Sequence, residues 1–260
     1  PNHKGIMHSG AGRIARIKMH PMSLYESGDS SGEISLKELC NDNIIPVMTG
    51  EVNLQNLIKY IIRGGWPGNI DIPVEQAALL PIQYIDAIID DDVYRMDGVK
   101  RNKEKMKLLL RSLARNEATT VTNTSLARDV KEMDDTDLDK DMLVNDLQTL
   151  GFLFESLCER DLKIYAESFG ASLYHYQDYD NKEIDAVVEL SNGEWCAFEI
   201  KLGANQIDDA AKSLLDINKK IEKDPKGKPA KILCVICGLS NAAYKRPDGV
   251  YVVPITALKN

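Results

Sequence analysis

Glu183-Ile-Asp185-Ala-Val-Val-Glu189-Leu-Ser-Asn-Gly193-Glu-Trp-Cys-Ala-Phe-Glu199-Ile-Lys201 is the stretch whose reading decides the fold. Apolar residues recur at every second position on both sides of Asn192-Gly193: Ile184, Ala186, Val188 and Leu190 before it, Cys196, Phe198, Ile200 and Leu202 after it. A period of two with a turn signal between predicts a β-hairpin with one apolar face per arm. The turn sets the register. A two-residue Asn192-Gly193 loop would put Asp185 opposite Ile200 and on the wrong face for Glu199. A three-residue loop, Ser191-Asn192-Gly193, with Gly193 in the left-handed region, puts Asp185 opposite Glu199 and Glu183 opposite Lys201. The bulged form is the one expected.

In that register Asp185, Glu199 and Lys201 read as a divalent-metal site. Two carboxylates can hold Mg²⁺ or Mn²⁺ with water completing the oxygen shell, and an adjacent ammonium can orient an attacking water or offset charge on a phosphodiester. The ordinary alternative is the solvated face of a half-exposed hairpin, where opposite charges pair across strands.

The hairpin, the helix before it and the apolar strand after it resemble the PD-(D/E)XK, or restriction-endonuclease-like, fold over roughly residues 142 to 260. The resemblance implies an αβββαβ core in which a helical Glu, an Asp on one strand and an E-x-K on the next converge on metal. Carried onto this chain, it makes Asp185, Glu199 and Lys201 the catalytic set and Glu155, Asp185 and Glu199 the metal ligands. Glu155 lies in Gly151-Phe-Leu-Phe-Glu155-Ser-Leu-Cys-Glu159, which has helical spacing of apolar residues. Gln206 opens an amphipathic segment (Ile207, Ala210, Ala211, Leu214, Leu215) at a place where the family often carries a polar residue. Ile232-Leu-Cys-Val-Ile-Cys237 reads as a buried strand, and Val250-Tyr-Val-Val-Pro254 as another ending at proline.

Further upstream, His8-Ser-Gly-Ala-Gly-Arg13-Ile, Pro21-Met-Ser-Leu-Tyr-Glu26 and Arg63-Gly-Gly-Trp-Pro67 resemble a bacterial and archaeal family that joins an AAA-type ATPase module to a C-terminal nuclease-like domain. The chain departs from that family in lacking any G-x-x-x-x-G-K-[ST] run, so it has no phosphate cradle and ATP belongs to a missing N-terminal module. The resemblance implies a C-terminal portion: an ATPase remnant over 1–62, a helical lid and partial winged helix over 63–138, and the nuclease-like domain over 139–260. Arg13 and Arg63 are candidates for charges that reach nucleotide phosphates. Both are equally read as arginines beside glycine turns.

The remaining sequence narrows the class. With 43% hydrophobic and 28% charged residues, the chain is not broadly disordered. No apolar run reaches membrane-spanning length and no secretory leader opens the sequence, which implies a cytoplasmic protein with no membrane partner. Five cysteines, an odd number, suit free thiols. Cys234 and Cys237 have C-x-x-C spacing, but inside a strand they point to opposite faces. His3, His8, His20 and His175 form no recognisable cluster. A net charge of −8 opposes wrapping nucleic acid over the whole surface, so local patches matter more. Lys100 to Arg115 carries many cations on a helix whose Met106, Leu109, Leu110 and Leu113 are expected to face a core. Lys212, Lys219, Lys220 and Lys223 lie beside the candidate site, where they could follow a phosphate backbone. Thr122 to Val130 resembles the first helix of a winged helix-turn-helix, capped by a hydroxyl residue. No recognition helix follows, so either the rest of that domain is lost or the chain is interrupted near residue 138. The run Asp134-Asp-Thr-Asp137-Leu-Asp139-Lys-Asp141 starts like a calcium loop, yet Lys140 stands where glycine is needed and Asp146 where glutamate is.

The expectation is therefore a mixed α/β protein whose C-terminal domain is a metal-dependent nuclease acting on DNA or RNA, part of an AAA-type ATPase and oligomeric through that module. The alternative is the same fold kept as a non-catalytic platform that binds a regulatory protein partner.

Overall fold

The computed structural model describes residues 18–92, 102–115 and 147–260, together with Thr122, Thr124, Ser125 and Arg128. Arg13 and the aspartate run at 134–141 lie outside the described residues. So does most of the winged-helix segment, although Ser125 N–H donates to Thr122 Oγ1 at 3.1 Å, as a hydroxyl cap requires.

In chain order the elements are β1 (Ile34–Ser35), α1 (Leu36–Cys40), β2 (Val47–Met48), α2 (Leu54–Arg63), α3 (Val74–Ala77), α4 (Leu79–Ala87) and α5 (Lys103–Arg115), then α6 (Leu147–Ser168), β3 (Ser172–Gln177), β4 (Glu183–Glu189), β5 (Trp195–Lys201), α7 (Ile207–Lys223), β6 (Ile232–Cys237), β7 (Ala242–Lys245), β8 (Tyr251–Pro254) and β9 (Leu258–Lys259). The fold is mixed α/β. Its main sheet has seven strands in the order β2-β7-β8-β6-β5-β4-β3. Strands β3, β4 and β5 form an antiparallel meander. The crossover through α7 then makes β6 parallel to β5, and β8 is parallel to β6. Antiparallel pairing of β7 with β8 and of β2 with β7 completes the other side.

Two helical layers cover the sheet, and the period-two pattern sorts the strand residues between them. Cys196, Phe198, Ile200, Cys234, Ile236 and Val253 pack with Phe154, Leu157, Leu162 and Tyr165 of α6. Ala197, Val235, Cys237 and Val252 pack with Ile207, Ala210, Ala211, Leu214 and Ile217 of α7. Because both faces are covered, all six residues of β6 are buried, which explains its unbroken apolar run. Cys234 falls in the α6 layer and Cys237 in the α7 layer, so the C-x-x-C pair is split across the sheet. The five cysteines are free and buried.

The N-terminal segment is part of the same body. Leu24, Leu36, Leu39 and Leu57 are completely buried in the α6-side core. Two-residue β1 pairs with β9, and two-residue β2 extends the main sheet. The carboxylate of Asp161 on α6, itself fully buried, accepts Leu24 N–H at 2.9 Å and is paired with Arg160 at 2.7 Å. Residues in 18–62 therefore pack with the C-terminal sheet and share its core. The leucines that bury this segment are too widely spaced to announce a partner.

The middle helices depart from expectation. Leu109, Leu110 and Leu113 of α5 are exposed, as are Leu80, Ile82 and Ile85 of α4, so among the described residues this apolar surface does not form the core that periodicity implies. Lys103 and Lys107 are paired with Asp90 at 2.5 Å and Asp86 at 2.9 Å, which ties α5 to the end of α4. Arg63 is likewise committed: its guanidinium meets Asp29 at 2.6 Å and Ser27 Oγ at 3.0 Å, so of its two sequence readings the structure shows an arginine held by neighbouring side chains.

Candidate metal and catalytic site

The hairpin closes through a three-residue loop. Ladder pairs Glu189↔Trp195, Val188↔Cys196, Val187↔Ala197 and Ala186↔Phe198 fix the register. Leu190 N–H donates to Glu194 O at 2.8 Å, and Gly193 has φ of +78°, a conformation that L side chains resist. One further step in this register sets Asp185 against Glu199. The side chains complete the end of the ladder: Asp185 Oδ2 accepts Ile200 N–H at 2.7 Å.

A second irregularity was not legible in the sequence. On its other side β4 pairs with β3 as Tyr174↔Val187 and Tyr176↔Ile184, so Asp185 and Ala186 together oppose the single residue His175. This β-bulge reverses the sidedness of the strand. Ile184 joins the α7-side core whereas Ala186 and Val188 join the α6-side core, which corrects the expectation of one shared face. Asp185 sits where the alternation changes sides. His175 Nδ1 lies 3.4 Å from Asp185 O, and its Nε2 lies 3.9 Å from Glu183 Oε2.

Asp185, Glu199 and Lys201 converge. Lys201 Nζ is 2.9 Å from Glu199 Oε1 and 3.3 Å from Asp185 Oδ2. The two carboxylates are about nine-tenths buried, while the Lys201 side chain is 28% exposed, so the group opens to solvent on the ammonium side. Lys201 pairs with Asp185 in place of Glu183, its expected cross-strand partner, because the ladder ends before those two positions meet. Glu199 Oε2 is buried with no hydrogen-bond partner.

The charge balance at this point is negative. Burial pushes Glu199 up to about 7, with help from the Asp185 charge, and these outweigh the opposing pull of Lys201. Burial pushes Glu155 up to about 8, helped by Asp185 and Glu159, with Lys201 again opposing. Burial acts on Lys201 in the other direction, but Asp185 and Glu199 outweigh it and the ammonium is held above its ordinary value. That Lys201 and Glu199 both move upward is consistent: one ammonium cannot satisfy two buried carboxylates at once. Glu155 of α6 stands in the electrostatic reach of Asp185 and Lys201. Among the described residues no three His, Cys, Asp or Glu side chains are grouped tightly enough to hold an ion between them; Asp185 and Glu199 are the two carboxylates that Lys201 bridges. A buried carboxylate oxygen with no donor, beside a partner carboxylate, fits an oxygen-seeking cation.

Two further residues near the site have defined partners. Lys220 is held by Asp178 at 2.7 Å and Asp180 at 2.5 Å, fastening α7 to the β3–β4 turn, so its charge is already paired. Gln206 uses its Oε1 to accept Gly203 N–H at 3.1 Å before the start of α7.

The fold and site thus define a mixed α/β protein with an acidic pair and a lysine at a broken strand end. Residues 150–258 match a domain of unknown function, DUF4143, which is commonly found in AAA ATPase-associated proteins. Residues 54–154 match a second domain of unknown function, DUF8612. No curated protein and no solved structure matches the chain. Among the described residues no helix is long and apolar enough to cross a membrane.

Proposed function

We propose that the C-terminal sheet carries a divalent-metal-dependent nuclease site acting on DNA or RNA phosphodiesters, in a protein that works with an AAA-type ATPase. The observation that carries this reading is the meeting of Asp185 Oδ2 and Glu199 Oε1 at Lys201 Nζ, with the other Glu199 oxygen, Oε2, buried and unpartnered. Asp185 and Glu199 are the residues that would hold Mg²⁺ or Mn²⁺, and Glu155 of α6 would bind a second ion or its waters. Such an ion, when bound, supplies positive charge that acidifies water and offsets charge on a phosphate. The chain's own contribution is positional. Ile200 N–H fixes one oxygen of Asp185, and Lys201 presents its ammonium at the solvent side, where an incoming phosphate or attacking water would meet it.

The rival reading, a non-catalytic platform for a protein partner, rests on the same ion pairs. If Lys201 stays bound to both carboxylates, the cluster is only a structural network. Incubating the full chain with single- and double-stranded DNA and RNA in Mg²⁺ or Mn²⁺, beside Lys201→Ala, separates them. Cation-dependent cleavage by the wild type that is lost in the variant supports the nuclease; equal cleavage by both, or none by either, supports the platform.

A further inference from the structure

The bulge in β4 interrupts the ladder: Asp185 and Ala186 face the single residue His175, so a side chain of β3 reaches the main chain of Asp185 at that point. The ring of His175 stands at that place, with Nδ1 3.4 Å from Asp185 O and Nε2 3.9 Å from Glu183 Oε2. A carbonyl only accepts, so the contact places hydrogen on Nδ1 and leaves Nε2 to face Glu183 and solvent.

We propose that His175 is a positioning residue for the acidic pair: through Asp185 O it holds the bulge in place, and with it the backbone from which the Asp185 carboxylate reaches Ile200 N–H and Lys201. The proposal rests on Asp185 and Glu199 being a cation site. A bulge that moves by one residue along β4 carries a side chain across the sheet. The carboxylate would then leave Ile200 N–H, 2.7 Å away, and Lys201, 3.3 Å away. Groups one step behind a metal ligand commonly set its affinity through such contacts. Among the described residues the partners of His175 are Asp185 O and Glu183, not Glu199 or Lys201, so its influence passes through the backbone of Asp185.

The test is a Mn²⁺ titration of the full chain, read by the electron paramagnetic resonance signal of free Mn²⁺, on wild type, His175→Phe and His175→Asn. Phenylalanine keeps the bulk without a donor, whereas asparagine returns an N–H at a similar reach. Circular dichroism and thermal melting verify that each variant is folded. The expected result is Mn²⁺ binding by the wild type, weakened about 10–100-fold in His175→Phe and close to wild type in His175→Asn. Unchanged affinity in His175→Phe overturns the proposal, as does equal weakening in both variants. Failure of the wild type to bind Mn²⁺ refutes the cation site itself, and this inference with it, a result distinct from binding retained by every variant. Should the variants not fold, nitrogen NMR of the wild-type ring decides: hydrogen on Nδ1 supports the proposal and hydrogen on Nε2 overturns it.

Discussion

Asp185 accepts the backbone N–H of Ile200 at 2.7 Å, so a side chain takes the place of a strand carbonyl at the point where β4 and β5 part. The bond aims one carboxylate oxygen inward and holds Asp185 beside Glu199, and Lys201 closes the group at 2.9 and 3.3 Å. A strand end that would otherwise fray is thus built into an acidic site, and several measurable consequences follow from its charge.

Stability should fall with rising pH when no divalent cation is present. Glu155 and Glu199 have folded-state values raised to about 8 and about 7 from 4.5. An acid raised in this way favours the folded state below its unfolded value and loses that contribution as pH rises through the folded one. The melting temperature in a chelator should therefore decline between about pH 5 and pH 8. Millimolar Mg²⁺ should restore it at pH 8 and do little at pH 5. A pH-independent melting curve would contradict the charge balance described here.

Removing the ammonium should expose the same imbalance. Lys201→Ala leaves Asp185 and Glu199 buried without a counter-charge, a change that costs about 3–5 kcal/mol for a buried pair and less here because Lys201 is partly exposed. Denaturant unfolding at pH 8 should show a larger loss than at pH 5, where Glu199 takes up a proton instead.

Truncating Leu39 tests whether the N-terminal segment belongs to the core. Leu39 is fully buried against the α6-side cluster, so Leu39→Ala should cost about 2–5 kcal/mol and shift a single unfolding transition. Two separated transitions, only one of them moved, would show that residues 18–62 fold apart.

Gly193 offers a local check on the turn. Its φ of +78° is one that alanine reaches at a cost of about 1–2 kcal/mol. Gly193→Ala should be destabilising by that amount in denaturant unfolding, and a neutral result would argue for a different turn.

The sequence carried the hairpin because alternation and a glycine turn are local signals, and Ser191-Asn192-Gly193 closes as that pattern requires. It carried β6 and α7 for the same reason. The bulge at Asp185–Ala186 was hidden, since Ile184, Ala186 and Val188 alternate without a break and only pairing with β3 shows that Ile184 turns to the other side. His175 went unnoticed with it: its role depends on what lies across the sheet, and its neighbours in sequence carry no sign of that. Strands β1 and β2, at two residues each, are too short for any periodic signal, so the attachment of the N-terminal segment could come only from tertiary packing. The exposed leucines of α5 show the converse, an amphipathic pattern without a core behind it among the described residues.

The most direct measurement is the rate of phosphodiester cleavage by the full chain as Mn²⁺ is titrated, with single- and double-stranded DNA and RNA, beside an Asp185→Asn variant shown to be folded. The account predicts cleavage that rises with Mn²⁺ to a plateau and is abolished in Asp185→Asn. Cleavage that ignores the cation, cleavage equal in the two proteins, or no cleavage of any substrate by the wild type would contradict it.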